Sequence, residues 1–584
     1  MKQHIESLIK VALQQLQASE ELPGIPAFVQ IEATKDKQHG DFATNIAMIL
    51  AKSAQKKPRD IAERIVQLLP ASNYIEKVEI AGPGFINFFL SPSALNEVLH
   101  TILKEKENYG RCQLGHGKRV LVEFVSSNPT GPLHVGHGRH AAFGSVVANL
   151  LDMVGFKIHR EYYVNDAGRQ MDILAVSIWL RYLAICGESI VFPANAYRGD
   201  YVMEIAKTVY EKYGTACQVA FDQVVKNLPS DEPQGGDKEI YIDAMIDYAK
   251  KVLGAQYQLI FEMGLERILA DIRGDLADFG VQYDNWFSER QLVQQKAVDT
   301  MLEKLQQNGQ IYEREGALWF SSTNFGDEKD RVLVRSNGQG TYFANDVAYH
   351  LNKFNRGFDI VIDIVGADHH GYIARMKASM KACGIDPERL IFLLVQFVTL
   401  YRGGKQAQMS TRGGNFVTLR ELREEVGKDV ARFFYVMRKC EQHMDFDLDL
   451  AKSQSNENPV YYIQYAYARI SSVFKQLAER NLAFDEANGL EHVPLLRQSH
   501  ERQLLNTLSQ YPDVILNAAL QYEPHLLTHY LRDLAADFHS YYNANQFLVE
   551  EAALRDARLV LVSAVRQTLI NGFTLLGINA PENM

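Results

Sequence analysis

The chain has 584 residues, of which 47% are hydrophobic and 23% charged, and its formal net charge is −10. This length favours two to four domains with sizeable cores. The negative charge argues against a general binder of nucleic acids or anionic membranes, but it leaves room for local basic contacts to one RNA. The five cysteines show neither CxxC pairs nor zinc-ligand spacing, and no run of eighteen apolar residues predicts a membrane span. We therefore expect a cytosolic protein of several domains.

Residues 1–115 form the first predicted domain, an α+β unit. Its opening residues repeat apolar side chains at helical spacing with polar interruptions, which indicates an amphipathic helix rather than a signal peptide. The segment "VEIAGPGFINFFL" alternates like a strand, with a turn at Gly82, Pro83 and Gly84. In "GDFATN", Asp41 is a candidate helix N-cap. The segment "NEVLHTILKEKENYG" predicts a charged helix that closes the domain.

Residues 116–455 are predicted to form an α/β domain with a parallel, Rossmann-like sheet. "KRVLVEFVSS" predicts a buried strand, "HAAFGSVVANLLDMVG" a helix stopped by Gly155, and "FKIHREYYVND" a second strand, which together make a βαβ unit. Further strands are predicted in "GTYFANDVAYHL", "FDIVIDIVGADHH" and "RLIFLLVQFVTLY". Residues from about 170 to 320 are mostly helical and charged, so we expect a helical insertion there. The glycine-rich turn after the first strand lies where such sheets bind ligands.

Residues 456–584 are predicted to form an all-helical domain. From "DVARFFYVMRK" onward nearly every segment has a helical pattern, with loops expected at Asn488–Gly489 and Asn543–Gln546. These residues hold nine Lys and Arg against fourteen Asp and Glu, so any RNA contact must rest on a few placed groups such as stacking aromatics. Four tyrosines are candidates, although their helical spacing favours a core role for most of them: Tyr461, Tyr462, Tyr465 and Tyr467.

The stretch "SSNPTGPLHVGHGRH" places His134 and His137 on one face of a helix that starts after a Pro/Gly-rich turn. A helix N-terminus attracts anions, and imidazole N–H groups there can donate to phosphate oxygens during phosphoryl or nucleotidyl transfer. Gly136 between them lets a flat base or ribose approach the backbone. The turn is neither a Walker A loop nor GxGxxG. A metal pair, which lacks a third nearby ligand, and two surface histidines remain open alternatives.

The stretch "YRGGKQAQMSTRGGNFVTL" combines four glycines with a lysine and two arginines after a predicted strand. Such a loop, here residues 402–415, can close over a polyphosphate and stabilise the leaving pyrophosphate. The alternative is a solvated surface loop, which is the commoner role of a basic, glycine-rich segment.

HVGH resembles the HIGH signature of class I aminoacyl-tRNA synthetases, and "QMSTR" stands where those enzymes carry KMSKS. The chain is similar to bacterial arginyl-tRNA synthetases over nearly its whole length. The similar segments include "GDFATN", "GPGFINF", "VEFVSSNPTGPLHVGHGR", "YVNDAGRQ", "YRGDYV", "GTYFANDVAYH", "GADHHGY", "FDLDLA", "NPVYYIQYAYARI" and "GINAPENM".

The resemblance implies a two-step reaction without a covalent nucleophile. The carboxylate of L-arginine attacks the α-phosphorus of ATP·Mg²⁺, and the arginyl group then passes to the terminal ribose of tRNA(Arg). His134 and His137 would stabilise charge on the α-phosphate, and no permanent metal is expected. The ATP-binding residues implied by the resemblance are Gly131, His134, Gly136, His137, Gly366, Asp368, Met409 and Ser410.

The resemblance also implies an arginine pocket made of Glu123, Asn128, Tyr342 and Asp346. Carboxylates suit this role because they match the planar guanidinium fork and neutralise it. The alternative for Asp346 is a helix N-cap, since "NDVAYHLNKF" has a helical pattern.

Gly366 and Asp368 follow the buried run "DIVIDIV" and would lie near the adenosine or the substrate amino group. A metal site at Asp368, His369 and His370 is disfavoured, because adjacent residues on an extended segment point to opposite faces.

The basic loop departs from the family pattern at two positions. Gln408 replaces the first lysine and Thr411 the lysine after the serine, so Met409 and Ser410 alone remain. Two residues of the loop are our candidates to carry the charge of the leaving phosphates: Lys405 and Arg412. The departure leaves open an inactive, synthetase-derived RNA-binding protein, alongside another HxGH nucleotidyltransferase or another class I synthetase. The family further implies a cytoplasmic monomer whose N-terminal domain touches the corner of the tRNA and whose C-terminal domain reads the anticodon.

Overall fold

A computed structural model describes residues 1–26, 29–34, 37–407 and 417–584. The N-terminal part is an antiparallel sheet of order β1-β2-β4-β3 covered by helices. Its elements are α1 (Lys2–Ala18), β1 (Glu32–Ala33), β2 (Phe42–Thr44), α2 (Ile46–Ala54), α3 (Pro58–Leu68), β3 (Ile75–Ala81), β4 (Phe85–Leu90) and α4 (Pro92–Glu105). The predicted turn joins β3 to β4. The predicted N-cap role of Asp41 is wrong, because its carboxylate accepts the Leu90 N–H at 2.8 Å and Asn45 precedes α2 instead.

The central part is built on a five-stranded parallel sheet of order β12-β11-β5-β6-β7, which confirms the predicted fold class. Its first elements are β5 (Arg119–Phe124), α5 (Val135–Met153), β6 (Lys157–Val164), α6 (Arg169–Ile185), α7 (Asp200–Tyr213), α8 (Phe221–Val225), α9 (Lys238–Leu253), α10 (Ala255–Asp278), β7 (Asn285–Ser288), α11 (Glu289–Gln294) and α12 (Ala297–Gln307). Helices cover both faces of such a sheet, which explains why β5 is almost continuously apolar.

The rest of the central part adds two small sheets. Its elements are β8 (Ile311–Arg314), β9 (Ala317–Phe320), β10 (Arg331–Val334), α13 (Tyr342–Asn355), β11 (Ile360–Gly366), α14 (His370–Ala382), β12 (Leu390–Val395), β13 (Val398–Arg402), β14 (Lys405–Gln406), α15 (Leu419–Val426), α16 (Lys428–Val436), β15 (Met444–Asp447) and α17 (Leu448–Lys452). Strands β8 to β10 form an antiparallel sheet, and β13 pairs with β14 and β15.

One prediction in this part is wrong, and two others hold in part. "GTYFANDVAYHL" is mainly the helix α13, because Thr341 caps it through the Ala344 N–H at 3.2 Å and its buried residues recur at helical spacing. "RLIFLLVQFVTLY" divides into β12 and β13, which belong to different sheets. The predicted insertion is mostly helical, but β7 within it pairs with β6 and completes the parallel sheet.

The C-terminal part is all-helical, as predicted. It contains α18 (Pro459–Glu479), α19 (Glu486–Glu491), α20 (Ser499–Leu520), α21 (His525–Ala544) and α22 (Ala552–Leu576). The predicted loop at Asn488–Gly489 is wrong, because both residues lie in α19, which Asp485 caps through the Asn488 N–H. Among the described helices, α22 is long and apolar enough to cross a membrane, and the mean hydropathy of its most apolar stretch is 1.5. That stretch is 72% buried inside the protein, as in the core helix of a globular domain.

Arg432 on α16 joins the central and C-terminal parts. It is 1% exposed, and its guanidinium donates to the carbonyl of Leu576 at 2.8 Å, to that of Phe279 at 3.0 Å and to the Ser145 hydroxyl at 2.8 Å. One turn later, the Tyr435 hydroxyl donates to the Val135 carbonyl at 2.7 Å. Helix α16 therefore connects the end of α22 to the first turn of α5.

A buried charge network holds α13 against the parallel sheet. The fully buried Lys353 ammonium lies 2.6 Å from the Glu123 carboxylate on β5 and 2.7 Å from that of Asp363 on β11. One turn later, Arg356 forms a bidentate pair with Glu161 on β6 at 2.6 and 2.7 Å. Burial opposes ionisation of Glu161, but hydrogen bonds from His159 and Arg356 outweigh it and hold the pKa of Glu161 far below its usual range.

Replacing Lys353 by methionine should destabilise the central part by about 3–5 kcal/mol, because two buried carboxylates lose their cation. The apparent midpoint of thermal unfolding should fall by roughly 10 °C. Lys381→Met is the matched control, since Lys381 is exposed on the last turn of α14. Equal midpoints for the two variants would contradict the role given to Lys353.

Candidate active site

The two histidines of HVGH cap the helix on which they lie. The His134 Nδ1 accepts the N–H groups of Gly136 at 3.0 Å and His137 at 3.4 Å, and the His137 Nδ1 accepts the His134 N–H at 3.2 Å. Their rings stack with centroids 3.6 Å apart. The sequence pattern suggested that the amides of this turn remain available to an anion. That expectation is wrong for Gly136 and His137, whose amides the reciprocal cap already satisfies.

This cap determines the tautomer of both imidazoles. Since each Nδ1 accepts a backbone N–H, the ring proton of the neutral form is carried on Nε2. Burial lowers the pKa of His134 and lowers that of His137 far more. The site therefore presents neutral N–H donors at pH 7, which suits the stabilisation of developing phosphate charge without a proton transfer.

The histidines line a cavity of about 480 Å³ at the carboxyl ends of the parallel strands. Six of the predicted site residues line it: Glu123, His134, Gly136, His137, Gly366 and Asp368. Gly366 ends β11, and Asp368 lies in a 3₁₀ turn before α14 rather than on an extended segment as predicted. Among the described residues, no group of three or more His, Cys, Asp and Glu side chains is placed to hold a metal ion.

The backbone after β5 bends sharply at the cavity wall. Val125 and Ser126 have φ values of 69° and 42°, which is rare for any residue with a side chain and exceptional for valine. The Ser126 hydroxyl accepts the Tyr163 N–H at 3.0 Å and so ties this bend to β6. Strained backbone of this kind persists where surrounding contacts hold it, and it commonly occurs at functional sites.

Buried carboxylates form an acidic wall beside the cavity. Burial raises the pKa of Asp346 on α13, and the nearby Glu123 carboxylate adds to the effect. Glu289 on α11 is 8% exposed, and burial together with Asp346 raises its pKa as well. Asp166 lies near Glu289 and Tyr163, so negative charge accumulates around the Tyr163 ring. Such a wall suits a cation. Asp346 lies within α13, so its alternative role as N-cap is wrong.

Other predicted residues lie outside the cavity lining. Tyr342 is 66% exposed at the start of α13, and Asn128 is an exposed residue whose amide oxygen accepts from Asn165 at 3.2 Å. Gly131 packs against Tyr201: a Cβ atom added to Gly131 would lie 3.0 Å from the Tyr201 hydroxyl. Lys405 is exposed on β14. Met409, Ser410 and Arg412 lie outside the described residues, as do the replaced positions Gln408 and Thr411.

The ends of the basic loop are fixed next to the histidines. On one side β13 and β14 form a hairpin, and the Ala407 N–H donates to the Leu400 carbonyl at 2.8 Å. On the other side Thr418 pairs with His134, and the Leu419 N–H donates to the Leu133 carbonyl at 2.8 Å. The loop therefore starts and ends within the framework of the cavity.

Sequence reasoning missed several site residues. His140 lines the cavity, and burial lowers its pKa to about 4. Its place one turn after His137 in "HVGHGRH" was an available signal. Glu289, Tyr163 and Lys353 had no local signal, because their partners are distant in the sequence and only the fold brings them together.

The three-part organisation agrees with the matches to known protein families. Three family models match successive segments: an arginyl-tRNA synthetase N-terminal domain at residues 3–90, a class I (R) tRNA synthetase catalytic domain at 98–189 and 268–447, and a DALR anticodon-binding domain at 463–584. Arginine–tRNA ligases of Thioalkalivibrio sulfidiphilus and Legionella pneumophila (strain Paris) are 60% and 56% identical, each over the full length of both chains. The arginyl-tRNA synthetase structure from Thermus thermophilus matches with a TM-score of 0.76 at 23% identity, covering both chains completely.

A parallel sheet with a histidine-capped helix at its ligand edge and a helical C-terminal domain defines a class I aminoacyl-tRNA synthetase. Full-length identity above 50% to two arginine–tRNA ligases identifies the family within this class. The chain belongs to the arginyl-tRNA synthetase family.

Gly136→Ala should loosen the histidine cap, because the added Cβ would lie 2.9 Å from the His134 Cε1 and 3.0 Å from its Nδ1. A lost cap is worth about 1 kcal/mol, so amide hydrogens of the first turn of α5 should exchange about fivefold faster. Hydrogen–deuterium exchange with mass spectrometry measures this. Gly274→Ala on α10 is the control, because an added Cβ there meets nothing within 4 Å. Unchanged exchange in the first turn would show that the cap tolerates the methyl group.

Proposed function

We propose that this chain is an arginine–tRNA ligase. It joins L-arginine to ATP to form arginyl-adenylate, transfers the arginyl group to the 3′-terminal ribose of tRNA(Arg), and releases AMP and diphosphate. The observation that carries this proposal is one cavity with two neutral imidazole donors on one wall and buried carboxylates beside the other. The first group suits an α-phosphate, and the second suits a guanidinium.

The histidines act on the phosphate side of this reaction. Attack of the arginine carboxylate on the α-phosphorus forms the new P–O bond and breaks the bond to diphosphate, which leaves with the bonding electrons. The Nε2–H groups of His134 and His137 donate hydrogen bonds to the α-phosphate oxygens while charge builds up there. Mg²⁺ arrives with ATP as part of the substrate. Gly136, Gly366 and Asp368 line the cavity where the nucleotide would lie.

The acidic wall binds the side chain of arginine. Asp346 is the principal partner, because its carboxyl is half-buried near Glu123 and, within the described residues, no lysine or arginine pairs with it. Its polar neighbours are the Tyr372 hydroxyl and the imidazoles of His350 and His369. Glu123 already forms an ion pair with Lys353, so its carboxylate can contribute less to binding the substrate guanidinium than the resemblance implies. Tyr342 and Asn128 are exposed and lie outside the lining of the cavity, so we assign them a smaller part in holding arginine. Glu289 adds negative charge next to Asp346.

The basic loop supplies the charge for diphosphate departure. Lys405 at its start and Arg412 within it are the proposed cations, with Met409 and Ser410 next to the nucleotide. Support for this role is the attachment of both loop ends to the cavity framework, at β14 and at Thr418. We further propose that the enzyme acts in the cytoplasm as a monomer, and that its N-terminal and C-terminal domains contact the tRNA.

ATP–pyrophosphate exchange with each of the twenty amino acids tests the function. We expect exchange with arginine alone, and it should appear when unmodified tRNA(Arg) is present. Arginine-dependent exchange without tRNA would support the proposed activity but refute its dependence on tRNA. Silence in both conditions, from folded protein that still binds tRNA(Arg), would favour an inactive RNA-binding protein and overturn the proposal.

Asp346→Asn should lower kcat/KM for arginine by several hundredfold, because a desolvated carboxylate–guanidinium pair loses about 3–5 kcal/mol when one partner is removed. Glu289→Gln should lower it by about tenfold, since its carboxylate acts at a longer distance through the low-dielectric wall. Glu303→Gln, an exposed acid on α12, is the control. The KM for ATP should stay constant in all three variants. A uniform loss for arginine and ATP would indicate misfolding rather than a lost guanidinium partner.

A further inference from the structure

A second cavity, of about 430 Å³, lies where the central and C-terminal parts meet. We call it the basic cleft. It is lined by the end of α16 and the residues after it, by residues around the start of α18, and by the first half of α21. Three of its lining residues are cationic or protonatable, namely Arg438, His529 and Arg532, and all three are exposed. His529 and Arg532 lie one turn apart on α21 and so share one face of that helix.

The cations of the basic cleft are not neutralised by the surrounding protein. Within the parts of the chain that the structure describes, neither Arg438 nor Arg532 forms an ion pair or a side-chain hydrogen bond. Glu457 is the acidic residue of the lining. Two guanidinium groups without carboxylate partners in one concave site favour an anionic ligand, because the guanidinium fork matches phosphate oxygens bidentately.

The remaining lining favours a nucleotide over a free phosphate ion. Met437 and other apolar side chains form part of the wall, and Tyr462 adds a half-exposed ring that packs against His539 with centroids 4.6 Å apart. An inorganic phosphate would satisfy the arginines but leave this apolar surface in water. A nucleotide within an RNA strand presents a phosphate to the arginines and a sugar or base to the ring.

The position of the basic cleft fits an RNA that reaches the active site. Helix α16 contributes to the cleft near its end, and its Tyr435 hydroxyl bonds the Val135 carbonyl beside His134. The cleft therefore lies on the helix that joins the active-site turn to the helical C-terminal part. An RNA that places its 3′ end in the first and another segment on the second would pass over it.

We propose that the basic cleft holds a backbone phosphate of the bound tRNA, contacted by Arg438 and Arg532, with His529 as a further donor. The proposal rests on the tRNA-charging function proposed above. The overall charge of −10 makes such a contact important for binding, because the net field of the protein repels RNA.

The test is the double variant Arg438→Gln, Arg532→Gln in the full-length chain. Fluorescence anisotropy with labelled tRNA(Arg) is measured between 50 and 200 mM salt, a range over which about ten phosphate contacts lose several orders of magnitude in affinity. We expect Kd to rise at least about tenfold, and the slope of log K against log salt to become shallower by about 0.7–0.9 for the lost phosphate contact. The KM values for arginine and ATP at saturating tRNA should not change.

The control is the double variant Lys157→Gln, Lys381→Gln. It removes the same charge from exposed residues at the start of β6 and the end of α14, at the edge of the sheet away from the cavity. An equal Kd and slope for the two double variants would overturn the proposal. A second measurement titrates inorganic phosphate into the protein by calorimetry. If only the arginine double variant loses phosphate binding while its tRNA affinity is unchanged, the cleft binds a free anion, and the proposal is also overturned. Failure of the wild-type chain to charge tRNA(Arg) would refute the function itself, independently of either variant.

Discussion

One buried ammonium group fixes the helix that carries the proposed arginine-binding carboxylate. Lys353 contacts carboxylates on the neighbouring strands β5 and β11, so α13 must lie across them in a single position. Asp346 precedes Lys353 by two helical turns and therefore occupies the same face of α13. The structural cation and the proposed substrate-binding carboxylate are thus fixed by the same helix. The positive charge of Lys353 also keeps Glu123 and Asp363 from adding two uncompensated charges to an already acidic wall.

The phosphate side of the site follows a different principle. The imidazoles of His134 and His137 are oriented by backbone N–H groups, so the same contacts cap α5 and align the ring N–H groups that we propose act on the α-phosphate. Orientation is established when the protein folds and needs no reorganisation when ATP binds. The tyrosine of α16 that bonds the Val135 carbonyl supports this turn from behind.

Sequence reasoning recovered the regular elements and missed what depends on distant contacts. Strands β5, β6 and β11 match predicted strands, because each is rich in Val, Ile, Leu, Phe or Tyr. The prediction of a strand in "GTYFANDVAYHL" fails because its Thr, Tyr, Phe and Val also have high β propensity, although the segment forms α13. The HVGH histidines were located by their motif, but their reciprocal cap was not, since a capping and a solvent-facing imidazole look alike in sequence. Glu289 reaches the site only through the packing of α11 against α13, and no local pattern signals such a contact.

The Arg432 contact has a consequence for how the protein is made. Its guanidinium is fully buried and needs the carbonyl of Leu576, from which 144 residues separate it. At roughly 5–20 residues per second, a ribosome needs about 7–30 seconds to supply that acceptor after Arg432 has been synthesised. During this interval the central part carries an interior cation with an incomplete set of acceptors, next to the helix that supports the HVGH turn. The last interior acceptor of Arg432 thus becomes available only when synthesis of the chain is nearly finished.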